Sequence, residues 1–528
     1  MGRFQTNNNK KKPTTAATKS KSKKSKEPST FEEFMEDAVG FEEQGERYAS
    51  GDRAQRNYER ALDMYSKAHA LNDQDADCLY NWGRVLFILV GFLPAHAAPE
   101  EKLIKLDESI ERFRHALRLE SHNKTDVEFN LAQALHLRSE LLQESSEIEN
   151  AYTQSALALQ EAISLFDTVY ELQEKEYLRY QNNKNEGDQT TTETTKNDAC
   201  TANHKDEHVE KDITNDKGTT EDNNQFTTVT QMEATTAYSL IDTLLSTADA
   251  MTTMASMMAV YADSQKLFSR AREKLSRAEK WLAETDETDK EYIKARSHLL
   301  LKRGQSYCAL ADRAFLATGK VDAHLYEQAL IPLERVTEDL DPKNVEALCD
   351  QGDVLSRYAQ AIVDEADQQK SLSQATGKDI WQLYSKASEA FQKALKLESK
   401  NLHILNKAGD ISMARAQLPL PVAERNQVQL LKNAQFYYKQ AVETDAQQHA
   451  GWIGWSYATW ALGAWADVDG KEADARKIFT SWLKRAGGNE DLFQRLTEDN
   501  DTVDGGFVNW VGVNFFGAEE DEETDDDS

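Results

Sequence analysis

One spacing recurs along the chain and constrains it more than any other feature: a small residue, a large apolar residue four positions later, and a small or apolar residue three after that. It is plainest at Ala61, Tyr65, Ala68 and at Ala387, Phe391, Ala394. The same reading fits Ser109, Phe113, Ala116; Ala162, Phe166, Val169; Ala329, Leu333, Val336; Ala434, Tyr438, Ala441; and Ala475, Phe479, Trp482. Steps of four and three hold all three side chains on one helical face, and the small ones let a second helix approach closely. A helix marked by its own small residue precedes each triad, at Gly45, Gly83, Ala132, Gly304, Gly352, Gly409 and Ser456. Seven helical hairpins are visible, and residues 232–284 read as a further, atypical helix pair bridging two halves. Sheet folds that turn every ten residues are excluded, because the 528 residues include only 23 Gly and 8 Pro. The expected fold class is all-α.

Charge divides the chain into blocks. Residues 1–30 carry Arg3 and eight lysines against Glu27 and cannot bury apolar surface, so a disordered basic tail is expected. Residues 518–528 hold eight acids and no base, an acidic tail. Residues 181–228, rich in Asn, Thr, Asp and Lys, carry eleven acids and five lysines and read as a disordered acidic loop. Ordered repeats are therefore expected over 31–180 and 229–500, followed by an apolar segment at 501–517. Within the latter, FVNWVGVNFF (507–516) is β-prone and is expected to fold back on the last helices. The two tails cancel, leaving the net charge of −29 on the rest.

The paired helices with small residues at their crossings resemble the tetratricopeptide-repeat (TPR) family. The resemblance covers about 31–180 and 287–488. It implies a TPR-like helical-hairpin superhelix, an α-solenoid with disordered termini and a disordered central loop, whose first helices line a groove that binds peptides. Three stretches depart from the short connections of the family: 94–108, Pro332 within a second helix, and 418–427.

Groove positions in this family lie six and three residues before the small residue of the first helix, and one and four after it. Read off the seven repeats, they include Glu42, Glu46, Asp77, Asp126, Glu346, Asp353, Asn406, Asp410, Tyr457 and Trp460; seven of the 28 positions are acids and one is Lys or Arg. The groove reads acidic, although a chain of this charge shows acids on any solvated surface. The carboxylate clamp with which TPR co-chaperones hold EEVD chaperone tails is not expected: Glu42 and Glu46 stand at its first positions with opposite sign, and only Asn81 fits. The tryptophan-rich stretch 451–466 reads as a packed terminal repeat or as an aromatic pocket at the groove end. Met251, Met254, Met257 and Met258 read as core filler.

Motifs for nucleotide phosphates, zinc hydrolysis or a nucleophilic serine do not occur, so no enzyme, cofactor, catalytic residue or metal is expected. Four scattered cysteines without a CxxC fit a reducing compartment. The longest apolar run, Val85 to Leu93, is nine residues, too short to span a bilayer. The expected function is that of a cytoplasmic or nuclear scaffold or escort chaperone holding a basic protein segment, with no nucleic acid on the folded part. The alternative is a peripheral membrane adaptor: MGRFQT makes Gly2 a possible acylation site, and the lysine-rich tail would be the second membrane signal.

Overall fold

The computed structural model describes residues 28–94, 96–119, 124–145, 148–192, 235–498 and 503–517. They form eight antiparallel hairpins stacked in chain order: α1 (Phe31–Tyr48) with α2 (Gly51–Leu71), α3 (Ala76–Val90) with α4 (Pro99–Arg118), α5 (Lys124–Glu144) with α6 (Ala151–Thr192), and α7 (Ala237–Met257) with α8 (Tyr261–Ala283). The second half pairs α9 (Lys290–Thr318) with α10 (Ala323–Arg335), α11 (Val345–Gln368) with α12 (Gln374–Leu397), α13 (Leu402–Gln417) with α14 (Pro421–Thr444), and α15 (His449–Ala464) with α16 (Lys471–Arg485). Two short helices, α17 (Glu490–Glu498) and α18 (Gly505–Val511), close the end. There is no strand among the described residues. The fold is an all-α solenoid of helical hairpins.

The small residues sit where the helices cross. A methyl group added to Gly83 would lie 2.8 Å from the Phe113 ring, to Gly352 2.6 Å from Phe391, to Gly409 2.6 Å from Tyr438, and to Gly304 2.7 Å from Leu333. These are the partners the spacing predicts. The first hairpin departs from it: Gly45 faces Tyr58, while Tyr65 lies further along and reaches Glu42. Only Ala49 and Ser50 connect α1 to α2, so the start of α2 lies against the end of α1. Ala394 is fully buried. Ala394→Leu and Gly352→Ala should each lower stability by ~1–3 kcal/mol through overpacking, read as a shifted urea midpoint; unchanged midpoints in both would be incompatible with this crossing.

The three departures from short connections turn out to be helical. Most of 94–108 is the first turns of α4, opened by Pro99, and most of 418–427 is the start of α14, opened by Pro421. Pro332 stays within α10, which passes into a π-helical turn, Val336–Leu340. Residues 181–192, expected within the acidic loop, are instead the end of α6: a helix already nucleated by packing propagates cheaply into polar sequence. The remainder of that loop, both expected tails except Pro28 to Thr30, and Gly2 lie outside the described residues. Thr30 caps α1 in a reciprocal box with Glu33.

Segment 507–516 does pack back on the last helices, but as helix: α18 runs into a π-helical turn, Gly512–Phe516. Its alternating β-branched and aromatic residues yield to the apolar surface that α15 to α17 present. That surface fills the tryptophan-rich stretch from within. Trp482 is fully buried and Trp452 and Trp460 nearly so, which makes the region a packed terminus and not an open pocket. Met251 is buried in the core of the first half, with Met254, Met257 and Met258 packed against it. Far along the array, His96 in the α3–α4 connection meets the Asp445 carboxylate beyond α14 at 2.9 Å. The solenoid thus curls enough for its second and seventh hairpins to touch.

Candidate functional site

The first helices of the hairpins, α1, α3, α5, α7, α9, α11, α13 and α15, are tied to one another by polar side chains at every junction. Arg84 on α3 reaches back to Glu42 at 2.6 Å and to Glu46 at 3.4 Å. The Asn130 amide donates to the Tyr80 hydroxyl at 3.2 Å, and His136 meets Thr253 at 3.1 Å. Lys302 pairs with Asp249 at 2.7 Å, the Gln305 amide donates to Asp350 at 2.8 Å, and Lys407 pairs with Asp353 at 3.1 Å. Gln417 donates to the Tyr457 hydroxyl. A rule runs through these contacts. The residue two positions before the crossing small residue (Asn130, Lys302, Asp350, Lys407) binds a residue of the preceding first helix, so one polar ladder marks one continuous face.

Between α7 and α13 this face holds more acid than base. Seven carboxylates (Asp242, Asp249, Glu291, Glu346, Asp350, Asp353, Asp410) interact there with three lysines (Lys294, Lys302, Lys407). Burial and the lysine beside it lower the His298 pKa, which leaves that imidazole uncharged at pH 7. Burial pushes the Asp350 pKa up to about 7, the Gln305 amide and Lys302 offset this only in part, and Glu346 and Asp353 add like charge. Asp410 is also raised, again by burial, despite the 2.6 Å hydrogen bond it accepts from Tyr438. Ile293, His298, Leu301 and Glu346 line a cleft of about 550 Å³ at one end of this region.

The residues expected in the groove divide by accessibility. Glu46, Asp126 and Glu346 are exposed, and Asp77, Asn81, Asp353, Asn406 and Asp410 are partly buried. Glu42, Tyr457 and Trp460 are buried. Glu42 is taken up by Arg84 and by the Tyr65 hydroxyl at 2.8 Å, and the Tyr457 hydroxyl also accepts from the Asp504 amide at 3.0 Å. These three side chains hold the fold together where the family pattern would have them facing a ligand. Asp249, Lys302, Asp350 and Lys407 were missed, since the family's groove positions skip the residue two before the crossing. The spacing to Gly304, Gly352 and Gly409 would have found the last three.

No helix among the described residues is long and apolar enough to cross a membrane. No group of metal-binding side chains occurs among them. No protein-family model matches the chain. It is 22% identical over 432 residues to UPF0656 protein C926.02 of Schizosaccharomyces pombe, covering 80% of this chain and 86% of that one. Among solved structures it is similar to Nro1, described as a hypoxic regulator of sterol synthesis and a nuclear import adaptor, at 11% identity over 79% of this chain and 90% of that one, TM-score 0.26. A second structure of Nro1, from S. pombe, gives 11% identity over 79% and 95%, TM-score 0.27. Yeast Tom70 gives 12% identity over 90% and 97%, TM-score 0.18.

Proposed function

We propose that this chain is a non-catalytic scaffold or escort, built of divergent TPRs, whose first-helix face holds a Lys/Arg-rich segment of a client protein. The observation that carries the reading is the acid excess between α7 and α13, centred on Asp350. Lys302 compensates the half-buried Asp350 carboxylate only in part, and a client lysine or arginine would add the rest. The ladder around it is already paired, so binding would add charge compensation without first dismantling the fold.

A fluorescent peptide of alternating Lys, Arg and Ser is a suitable probe. Its affinity should fall as salt rises, because exposed pairs are screened beyond a Debye length of about 8 Å at physiological ionic strength. It should also fall as pH drops below 7 and Asp350 becomes neutral, and Asp350→Asn should flatten that dependence. Reversing Asp242 and Glu346 to Lys leaves the ladder intact and should weaken binding roughly tenfold. Reversing Glu273 and Glu389, exposed acids on α8 and α12, is the control. Equal losses in both variants would mean that binding follows net charge, and the face assignment would be wrong.

A further inference from the structure

On the opposite side of α9 the sign of the charge inverts. Positions on a helix are about 100° apart, so Leu300, Arg303 and Tyr307 face away from the His298, Lys302 and Gln305 side that carries the ladder. They meet α8 and α10 in a cleft of about 380 Å³. Three arginines, one from each helix, line it: Arg272, Arg303 and Arg335. Arg303 is held by Glu279 at 2.8 Å, and Arg272 stacks over the Tyr307 ring at 5.4 Å from its centroid. Among the described residues, neither Arg272 nor Arg335 pairs with a carboxylate. By contrast, the neighbouring cations Lys274, Arg277 and Lys302 all do. A chain with 91 acids and 62 bases has thus left two guanidinium groups without a carboxylate partner in one recess.

We infer that this cleft is a binding site for a phosphorylated serine or threonine in a partner peptide. Three guanidinium groups and one glutamate leave two positive charges, which match the nearly dianionic phosphate monoester at neutral pH. Planar guanidinium forks donate two hydrogen bonds at a time to phosphate oxygens, and forks arriving from three helices surround a tetrahedral group better than a planar carboxylate. The walls suit a peptide more than a free ion. Pro332 and Leu300 form an apolar floor, and Ile331 stands 57% exposed at the rim, where the residue beside the phosphate would rest.

Degenerate peptide libraries with one fixed central residue test the site on the full chain. A phosphothreonine library should be retained at least tenfold over the same library with threonine or with glutamate. Arg272→Gln combined with Arg335→Gln should abolish that preference, and inorganic phosphate should compete. Circular dichroism should show unchanged helicity, since neither arginine makes an ion pair that the fold uses. The Asp242 and Glu346 reversal should leave phosphopeptide retention intact, which separates this site from the acidic face. Equal retention of the phosphothreonine and threonine libraries, equal retention of the glutamate library, or full retention by the double variant would each overturn the inference.

Discussion

Replacing Arg84 by methionine should destabilise the N-terminal hairpins by about 3 kcal/mol, because it leaves the Glu42 carboxylate buried without its cation. The Glu42 side chain is 7% exposed and that of Arg84 32%. Burial already raises the Glu42 pKa above its ordinary value, and Arg84 and the Tyr65 hydroxyl hold the rise in check. Without Arg84 the pKa climbs further. A carboxyl whose folded pKa exceeds its unfolded one favours the folded state at low pH, and that contribution is lost as pH rises through the folded value. The deficit of Arg84→Met should therefore be small near pH 4 and reach its full size at neutral pH. Adding Glu42→Gln should recover most of it, since a neutral amide still accepts from Tyr65. Urea melts of the unaltered chain, Arg84→Met, Glu42→Gln and the double variant at two pH values measure the coupling. A deficit independent of pH, or one that the second change fails to relieve, would show that Arg84 acts through packing alone.

Residues such as Gly352 and Phe391 were legible because close packing needs a specific pair at a specific spacing, and few sequences meet that need by accident. Hairpin count and order followed from them. The phase of the first hairpin slipped because two aromatic residues of α2, Tyr58 and Tyr65, both suit a small partner, and only the two-residue turn decides between them. Side chains on the polar face were harder to place. Glu42 and Glu46 differ by one helical turn, and nothing local distinguishes the buried one from the exposed one; the distinction comes from Arg84, about forty residues later, closing over Glu42. The arginine cleft was invisible for the same reason: Arg272, Arg303 and Arg335 lie about thirty residues apart and meet only when three helices stack. Segment 507–516 shows that local propensity can also mislead. Read alone it favours a strand, yet a strand there would leave its edge hydrogen bonds unmade, whereas a helix satisfies them internally and still buries Phe507 and Val511.

That last segment should act as the cap of the solenoid, and Phe507→Ala should remove it. Phe507 is fully buried, with ring centroids 5.0 Å from Tyr457, 5.6 Å from Trp460 and 6.2 Å from Phe493. Truncating such a side chain typically costs about 3–5 kcal/mol, through lost burial and the cavity left behind. A stacked array transmits stability mainly between neighbouring repeats, so the loss should stay local. Amide exchange should quicken in α15, α16 and α17, where Trp460, Phe479 and Phe493 lose their cover, and hardly change in α1 to α8. Val508→Ala, one residue along and 36% exposed, should change exchange little anywhere. The exposed aromatic surface should also make Phe507→Ala prone to self-association on warming, measurable by light scattering. Uniformly faster exchange along the whole chain would mean that the solenoid unfolds as one unit. Unchanged exchange in α15 to α17 would mean that the apolar segment merely rests on the last hairpin and does not hold it closed.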